Sequence, residues 1–301
     1  MKYVHCADVH IGMEFALNKL KSRQRKAEIL QSFLSLVEYC RDEAVDILLI
    51  AGDLFDNENV DAAVVEQVKS ALGSIPQTDV YVAPGNHDAY TITSPYRDEG
   101  WSDNVTIFNG TPRVIERADK GYRIWGCGFE SCFVMNRLLM GVRLPKDELV
   151  NIGILHGQLV GKNGKSEYNA ITDSDIEKSG IDYLALGHVH KQTGVQRIGD
   201  TLYAYSGTTE GQGFDEEGIR GFYTGELSKQ LLGRHELIAE YVSTSRRRYY
   251  HVNVDVTGAL NRAQVVDRIC SAAQSVTEDD EFAVLLTENR AEDNLYKVTL
   301  T

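Results

Sequence analysis

"YVAPGNHDAY", residues 81–90, decides how this sequence folds. An apolar run, Tyr81-Val82-Ala83, stops at Pro84-Gly85, and Asn86, His87 and Asp88 follow in a row. A buried strand that ends on Pro-Gly gathers an amide, an imidazole and a carboxylate at one end of a sheet. Two apolar runs upstream read as buried parallel strands, Tyr3 to Ala7 and Asp46 to Ala51 ("DILLIA"). Between them, Ser22 to Glu43 reads as an amphipathic helix, with Ile29, Phe33, Leu36, Val37 and Cys40 at helical spacing. A second helix is expected from about Asp61 to Leu72. Strand, helix, strand, helix, strand is the pattern of an α/β sheet covered by helices.

The later sequence turns β-rich. "YRIWGCGF" (122–129), "NIGILHG" (151–157), "DYLALGH" (182–188), "TLYAYSG" (201–207), "GFYTGEL" (221–227) and "ELIAEYV" (236–242) all read as strands. Short helices are expected only near Cys132 to Met140 and Thr172 to Ser179. This half should pack against the first. After Arg246-Arg247-Arg248 the pattern restarts. "YYHVNVDV" (249–256) is a half-exposed strand, Leu260 to Ala273 a helix and "EFAVLL" (281–286) a strand. We therefore divide the chain into 1–245 and a small appendage at 246–301.

Metal-type donors recur at the strand ends. "CADVHIG" places Asp8 and His10, "AGDLFD" places Asp53 and Asp56, and "PGNHD" places Asn86, His87 and Asp88. "ILHG" adds His156, and "LGHVH" adds His188 and His190. Each fragment alone is an ordinary turn or surface cluster. Five in succession, most beside a glycine, mark the carboxyl edge of the sheet, where open α/β sheets bind ligands. Oxygen donors mixed with imidazole suit Mn, Fe, Zn or Ni, and do not suit Ca or a thiolate zinc site. The donors are too many for one ion. Two ions sharing Asp53, which sits on a central strand, would use them.

In this order, Asp8-x-His10, Gly52-Asp53, Gly85-Asn86-His87-Asp88, His156 and Gly187-His188-x-His190 resemble the motifs of the calcineurin-like metallophosphoesterase superfamily. The resemblance covers roughly residues 1–240. It is strongest to the SbcD/Mre11 type of DNA repair exonuclease, and within that to the shorter bacterial YhaO-like relatives. It implies an α/β fold in four layers, a β-sandwich flanked by helices, with the small α+β appendage as a partial capping domain. One ion, by this resemblance, would be held by Asp8, His10, Asp53 and His190, the other by Asp53, Asn86, His156 and His188. His87 would face the phosphate as a catalytic residue, oriented by Asp56; Asp88 would anchor its turn or support a ligand histidine. The activity implied is a dimetal, Mn-dependent phosphodiesterase acting on DNA as an exonuclease or endonuclease in repair. The implied partner is an SbcC/Rad50-type ATPase, and a homodimer is admitted. One departure stands out. The Gln-Gly-Arg that the resemblance leads one to expect in the loop after the last histidines reads Glu210-Gly211-Gln212, so Gln212 stands where a phosphate-contacting Arg is expected.

Composition constrains the alternatives. With 43% hydrophobic residues, 301 residues can build a sizeable core. A net charge of −13 does not describe a nonspecific nucleic-acid or membrane binder. Two divalent ions would outweigh Asp8 and Asp53 locally and draw in an anionic ester. Five scattered cysteines read as reduced thiols, and no signal pattern or membrane-length run occurs, so a cytoplasmic protein is expected. His5 reads as packing, Glu14 as a loop carboxylate, and His235 and His251 as surface groups. The Arg246–Arg248 triplet reads as a linker or a DNA contact, with Tyr249 and Tyr250 packing or stacking behind it. Two other functions fit the same motifs: a small-molecule phosphodiesterase or phosphatase, and a non-catalytic scaffold. The full ligand set argues against the scaffold.

Overall fold

The central strands are short runs rich in branched and aromatic residues, and most give way to Ala or Gly where they end. The computed structural model describes residues 1–16, 18–233, 237, 239–278, 284–285 and 293–301. The first half runs β1 (Lys2–Cys6), α1 (Lys19–Asp42), β2 (Ile47–Ile50), α2 (Ala62–Gly73), β3 (Asp79–Val82), β4 (Val105–Ile107) and β5 (Arg113–Arg117). The middle runs β6 (Tyr122–Cys127), β7 (Val150–His156), β8 (Gln158–Leu159), β9 (Ala170–Ile171), α3 (Asp173–Lys178), β10 (Tyr183–Gly187), β11 (Gln196–Ile198) and β12 (Thr201–Tyr205). Then follow β13 (Gly221–Glu226), α4 (Lys229–Gly233), β14 (Ala239–Ser243), β15 (Tyr249–Val254), α5 (Arg262–Glu278), β16 (Val284–Leu285) and β17 (Leu295–Leu300).

Two mixed sheets carry the fold. The first has the order β16-β14-β13-β1-β2-β3-β4, the second β11-β12-β10-β7-β6-β5. β1 to β4 are mutually parallel, as are β6, β7, β10 and β12. Alternation sorts the side chains into layers. Val4, Cys6, Leu48, Ile50, Val80 and Val82 face outward onto Ile29, Phe33 and Leu36 of α1 and Val65, Val68 and Leu72 of α2. Tyr3, Ile47, Leu49 and Tyr81 face inward onto Ile152, Ile154 and Tyr183 of the second sheet. Beyond that sheet, Leu155, Leu184 and Leu186 are covered by Ile176 of α3 and by Leu139. Helices, sheet, sheet and a thin outer cover make the four layers, and the α/β sandwich expected from sequence is the observed architecture.

The inner layer tapers. Along β1 the inward residues run Tyr3, His5, Ala7; along β2, Ile47, Leu49, Ala51; along β10, Tyr183, Ala185, Gly187. The sheets therefore converge at their carboxyl edges. A Cβ on Gly187 would stand 2.0 Å from the Ala51 carbonyl oxygen and 2.8 Å from the Ala7 Cβ. His5 is fully buried in this layer. Its Nδ1 is 3.0 Å from the Tyr183 hydroxyl and its Nε2 is 3.2 Å from the Leu186 carbonyl oxygen. Burial lowers its pKa to about 3, so it spans the two sheets as a neutral group, the packing role expected of it.

Three expectations change. The halves are not separate: β13 and β14 return to the first sheet, with β13 antiparallel to β1. Residues 132–140 form turns and no helix. Val134 bridges to Tyr168, and the Leu138 N–H donates to Asn169 Oδ1 at 2.8 Å, so tertiary contacts outweigh a helical apolar pattern. The strand read at 281–286 is described only at Val284–Leu285, which pair with β14. The parallel partner of β15 is instead β17. α5 lies against that pair, and Tyr250, Val252 and Val254 form a small core with Ile269, Ala272, Tyr296 and Val298. His235 lies outside the described residues.

Gly187→Ala should destabilise the protein by about 1–3 kcal/mol, because a methyl there meets backbone that cannot yield. Denaturant unfolding reads this, and an unchanged midpoint would contradict the convergence of the sheets.

Candidate active site

The turns after β1, β2 and β10 carry the predicted donors in a conformation that L residues rarely adopt. Asp8, His10, Asp53 and His188 have φ of 51°, 54°, 51° and 103°. Left-handed backbone costs about 1–3 kcal/mol at a non-glycine residue and persists where the surroundings over-determine it. Here the surroundings are hydrogen bonds between the turns. The Asp8 N–H donates to the Gly52 carbonyl and the His10 N–H to the Asp53 carbonyl, each at 3.0 Å. The His188 N–H donates to the Asp8 carboxylate at 3.0 and 3.1 Å. Glycine is required where ligand side chains cross backbone. A Cβ on Gly85 would sit 2.2 Å from Asp53 Oδ1, and one on Gly52 would sit 2.3 Å from His156 Nδ1.

All seven predicted ligands meet at this edge. Ligand atoms of Asp8, His10 and His190 lie within 4.8 Å of one another, as do those of Asp8, Asp53 and His156. His10, Asp53 and His87 form a third such group, so His87 also stands within reach of a metal position. Asp53 faces both sides. Its Oδ2 is 3.3 Å from His156 Nε2 and 3.9 Å from His10 Nε2.

The donor geometry fits cations. His156 is fully buried, and its Nδ1 lies 2.9 Å from the Ala51 carbonyl oxygen, which can only accept. Its Nε2 then faces Asn86 Oδ1 at 3.0 Å and Asp53 Oδ2 at 3.3 Å, both acceptors, a place for a proton or, on the neutral ring, for a cation. Three lone pairs converging need a positive centre among them. His188 Nδ1 joins the same Asn86 oxygen at 3.2 Å. On the other side, the Nε2 atoms of His10 and His190 stand 3.2 Å apart. Two lone pairs that face each other in this way are well placed to share an ion.

The titration shifts follow from this crowding. Burial alone would lower the His156 pKa, but the carboxylates of Asp53 and Asp8 raise it to about 9. Burial works against the His190 cation too, and Glu216 with Asp8 raises it to about 8. Burial, reinforced by His156, lowers His188 to about 4. Asp8 is pushed up by burial, only partly offset by His156 and His190. Asp53 is lowered, because the attraction of His156 and His10 outweighs its burial. The same attraction that holds protons on His156 and His190 would draw divalent cations.

Around the ligands, some roles differ from expectation. The His87 side chain is 45% exposed at the mouth of the site. Its Nδ1 is 3.0 Å from the backbone carbonyl of Asp56, while the Asp56 carboxylate is 3.9 Å away. That carboxylate lies nearer His10, at 3.3 Å from Nδ1. Asp56 thus meets His87 through main chain and His10 through its side chain, whereas the sequence points its carboxylate at His87. Asp88 anchors its turn. Its buried carboxylate accepts from the N–H groups of Asp53, Leu54, Phe55 and Gly85 at 2.7–3.2 Å and from the Tyr96 hydroxyl at 2.5 Å.

Three residues carry no readable signal in the sequence. Glu216 accepts from His190 Nδ1 at 2.6 Å. Asn169 donates to the His156 carbonyl at 2.8 Å. The Tyr168 ring lies 4.8 Å from that of His188. None belongs to a spacing pattern; each arrives on a loop. Glu14 pairs with Lys26, and His251 with Glu217. Arg247 is paired with Glu28 at 2.8 Å, and Tyr249 and Tyr250 are 6% exposed, so this stretch packs as a junction.

Asp88→Ala would leave four buried N–H groups without their acceptor. Each such loss costs about 1–3 kcal/mol, so the variant should lose several kcal/mol in denaturant unfolding, against about 1 kcal/mol for Tyr96→Phe. Equal small losses would mean that Asp88 is not the anchor.

The calcineurin-like phosphoesterase family matches residues 1–192, which include every ligand candidate from Asp8 to His190. A relative described as the uncharacterized metallophosphoesterase YhaO of Bacillus subtilis (strain 168) is 30% identical over 276 residues, 87% of this chain and 64% of that protein. The DNA double-strand break repair protein Mre11 of Methanopyrus kandleri is 26% identical over 267 residues, 79% of this chain and 56% of its own length. A component of the nuclease SbcCD of Bacillus subtilis (strain 168) is 25% identical over 256 residues, 72% of this chain and 64% of its own. The chain spans less than two thirds of each of these relatives. By the family match over most of its length, the chain belongs to the calcineurin-like phosphoesterase family.

Proposed function

We propose that this protein is a two-metal phosphodiesterase, Mn-dependent, that cleaves DNA. The observation that carries the reading is the convergence of His156, Asn86 and Asp53 lone pairs beside a separate Asp8, His10 and His190 group, with Asp53 between them. One ion would be held by Asp8, His10, Asp53 and His190, the other by Asp53, Asn86, His156 and His188. When bound, such a pair of ions lowers the pKa of a water and clamps the attacking and leaving oxygens of the phosphoryl group. Asn86 supplies a neutral oxygen where a third carboxylate would cancel positive charge, so the site favours an anionic ester. His87, exposed at the mouth, donates a hydrogen bond from Nδ1–H to the Asp56 carbonyl, and in its imidazolium form the Nε2–H would be the group that passes a proton to the leaving oxygen and leaves the ring neutral.

Two features support a nucleic-acid substrate over a small one. The relatives named for their activity are a DNA double-strand break repair protein and a nuclease component. Beside the site, the Tyr168 ring leads from His188 to Phe133, 5.7 Å further out, and Phe133 and Met135 are exposed. An apolar shelf next to a phosphate-binding centre suits a base flanking the scissile bond. In this reading residues 246–301 are a capping domain, an SbcC/Rad50-like ATPase is the partner, and the five free cysteines suit the cytoplasm. No helix among the described residues is long and apolar enough to cross a membrane.

Elemental analysis of Mn-loaded protein should give near two ions per chain. A stoichiometry of one would sink the shared-carboxylate arrangement. Linear duplex, closed circular DNA and bis-p-nitrophenyl phosphate, each with Mn, Mg, Zn or EDTA, separate the substrate classes. Cleavage of the aryl diester without either DNA would favour the small-molecule reading. His87→Ala should retain both ions and lose turnover by about 10²-fold or more. Loss of an ion from that variant would make His87 a ligand.

A further inference from the structure

We propose that the C-terminal unit sets the position of His190 through Glu216, so that the fit of one metal position depends on how that unit is seated. The inference rests on the metal-holding role assigned to His190 above. The Glu216 carboxylate is 5% exposed and is fixed on three sides. It accepts from His190 Nδ1 at 2.6 Å, from the Gln212 N–H at 2.9 Å and from the Thr208 hydroxyl at 3.3 Å. It thereby holds the tautomer whose Nε2 faces His10. A carboxylate on the outer nitrogen of a ligand imidazole orients the ring and raises its basicity.

The loop that carries Glu216 is not held by the catalytic sheets alone. β15 clasps it. Glu217 bridges to Tyr249, and the Gly218 N–H donates to the Tyr249 carbonyl at 3.1 Å. Phe214 packs edge-on to Tyr249 at 5.1 Å and against His251 at 5.6 Å, and His251 pairs with Glu217. A second tie lies next door. Glu210 accepts from the N–H groups of Arg246 and Arg247 at 2.7 and 3.1 Å, and Arg25 reaches both Glu210 and the Gly211 carbonyl. The entry to the C-terminal unit is thus tied to the same loop, residues 210–218, that ends at the His190 support. A shift of β15 would therefore move Glu216 first, and Glu216 is a positioning residue for His190.

The test reads the imidazole as well as the ion. In metal-free protein, imidazole nitrogen NMR should show His190 protonated at Nδ1 with a slowly exchanging proton. Glu216→Ala should abolish that slow exchange and weaken uptake of one of the two Mn ions by about 10–100-fold, and Glu216→Gln, which keeps an acceptor, should recover much of both. Phe214→Ala touches no ligand; it should speed exchange of the His190 proton and weaken the same ion. An unchanged His190 resonance in Glu216→Gln and Glu216→Ala overturns the positioning role. An unchanged resonance in Phe214→Ala overturns the link to the C-terminal unit, whatever Glu216 does. Failure of the wild-type protein to bind Mn would count against the functional reading, while the metal-free spectra would still decide the positioning.

Discussion

The site exists because two sheets close onto each other at one edge. Their inner faces are wedged apart by Tyr3, Ile47, Tyr81 and Tyr183 at one end and close onto Ala7, Ala51, Ala83 and Gly187 at the other. At the closed end, the turns after β1 and β2 face those after β7 and β10 at hydrogen-bonding distance. The contact is direct. The His188 N–H reaches Asp8 across the interface, and His156 Nδ1 reaches the Ala51 carbonyl. A larger side chain at any of these inner positions would separate the groups gathered at this edge.

Close approach has an electrostatic consequence. Burying Asp8, Asp53, His10 and His156 together removes the water that would otherwise answer each dipole. The protein answers with backbone: amide protons to Asp8, Asp53 and Asp88, and a carbonyl to His156. The remaining ring nitrogens meet only one another or the ligand oxygens: His10 Nε2 faces His190 Nε2, and His156 Nε2 faces two oxygens. The concentration of donors there explains how a chain of net charge −13 can still attract a phosphate ester once cations are bound.

The nine candidate site residues stand out in the sequence because each lies at or just beyond the end of a strand that its own apolar run announces. β1, β2, β3, β7 and β10 are four- to seven-residue stretches in which every residue but Lys2 is buried, and the donors stand shortly after them or, for His156, at the strand's last residue. What stays hidden depends on loops. The support of His190 by Glu216 and of His156 by Asn169 joins residues 26 and 13 positions apart with no periodic element to link them. Asp56 does stand beside His87, yet which of its atoms makes the contact depends on the turn and not on residue type. The segment at 132–140 misleads for a related reason. Its apolar residues have helical spacing, but Val134 and Leu138 are spent on residues 167–169. The return of β13 to β1 is a topological choice that two strands of similar composition cannot advertise.

The Glu210-Gly211-Gln212 loop has a structural role of its own. Glu210 is buried, and burial pushes its carboxyl up to about 7 against the pull of Arg25 and of two backbone N–H groups. Arg25 in turn serves Glu28, Glu210 and the Gly211 carbonyl, and Glu28 is shared with Arg247. Such buried ion pairs contribute little net stability, since desolvation offsets most of the attraction. Their satisfaction is geometric: α1, the 210–212 loop and the entry to β15 must stand in one arrangement for every charge to find a partner. Through Glu210 and Gly211, the loop is fixed between α1 and the entry to β15. A few residues on, the same loop runs inward through Glu216 to His190.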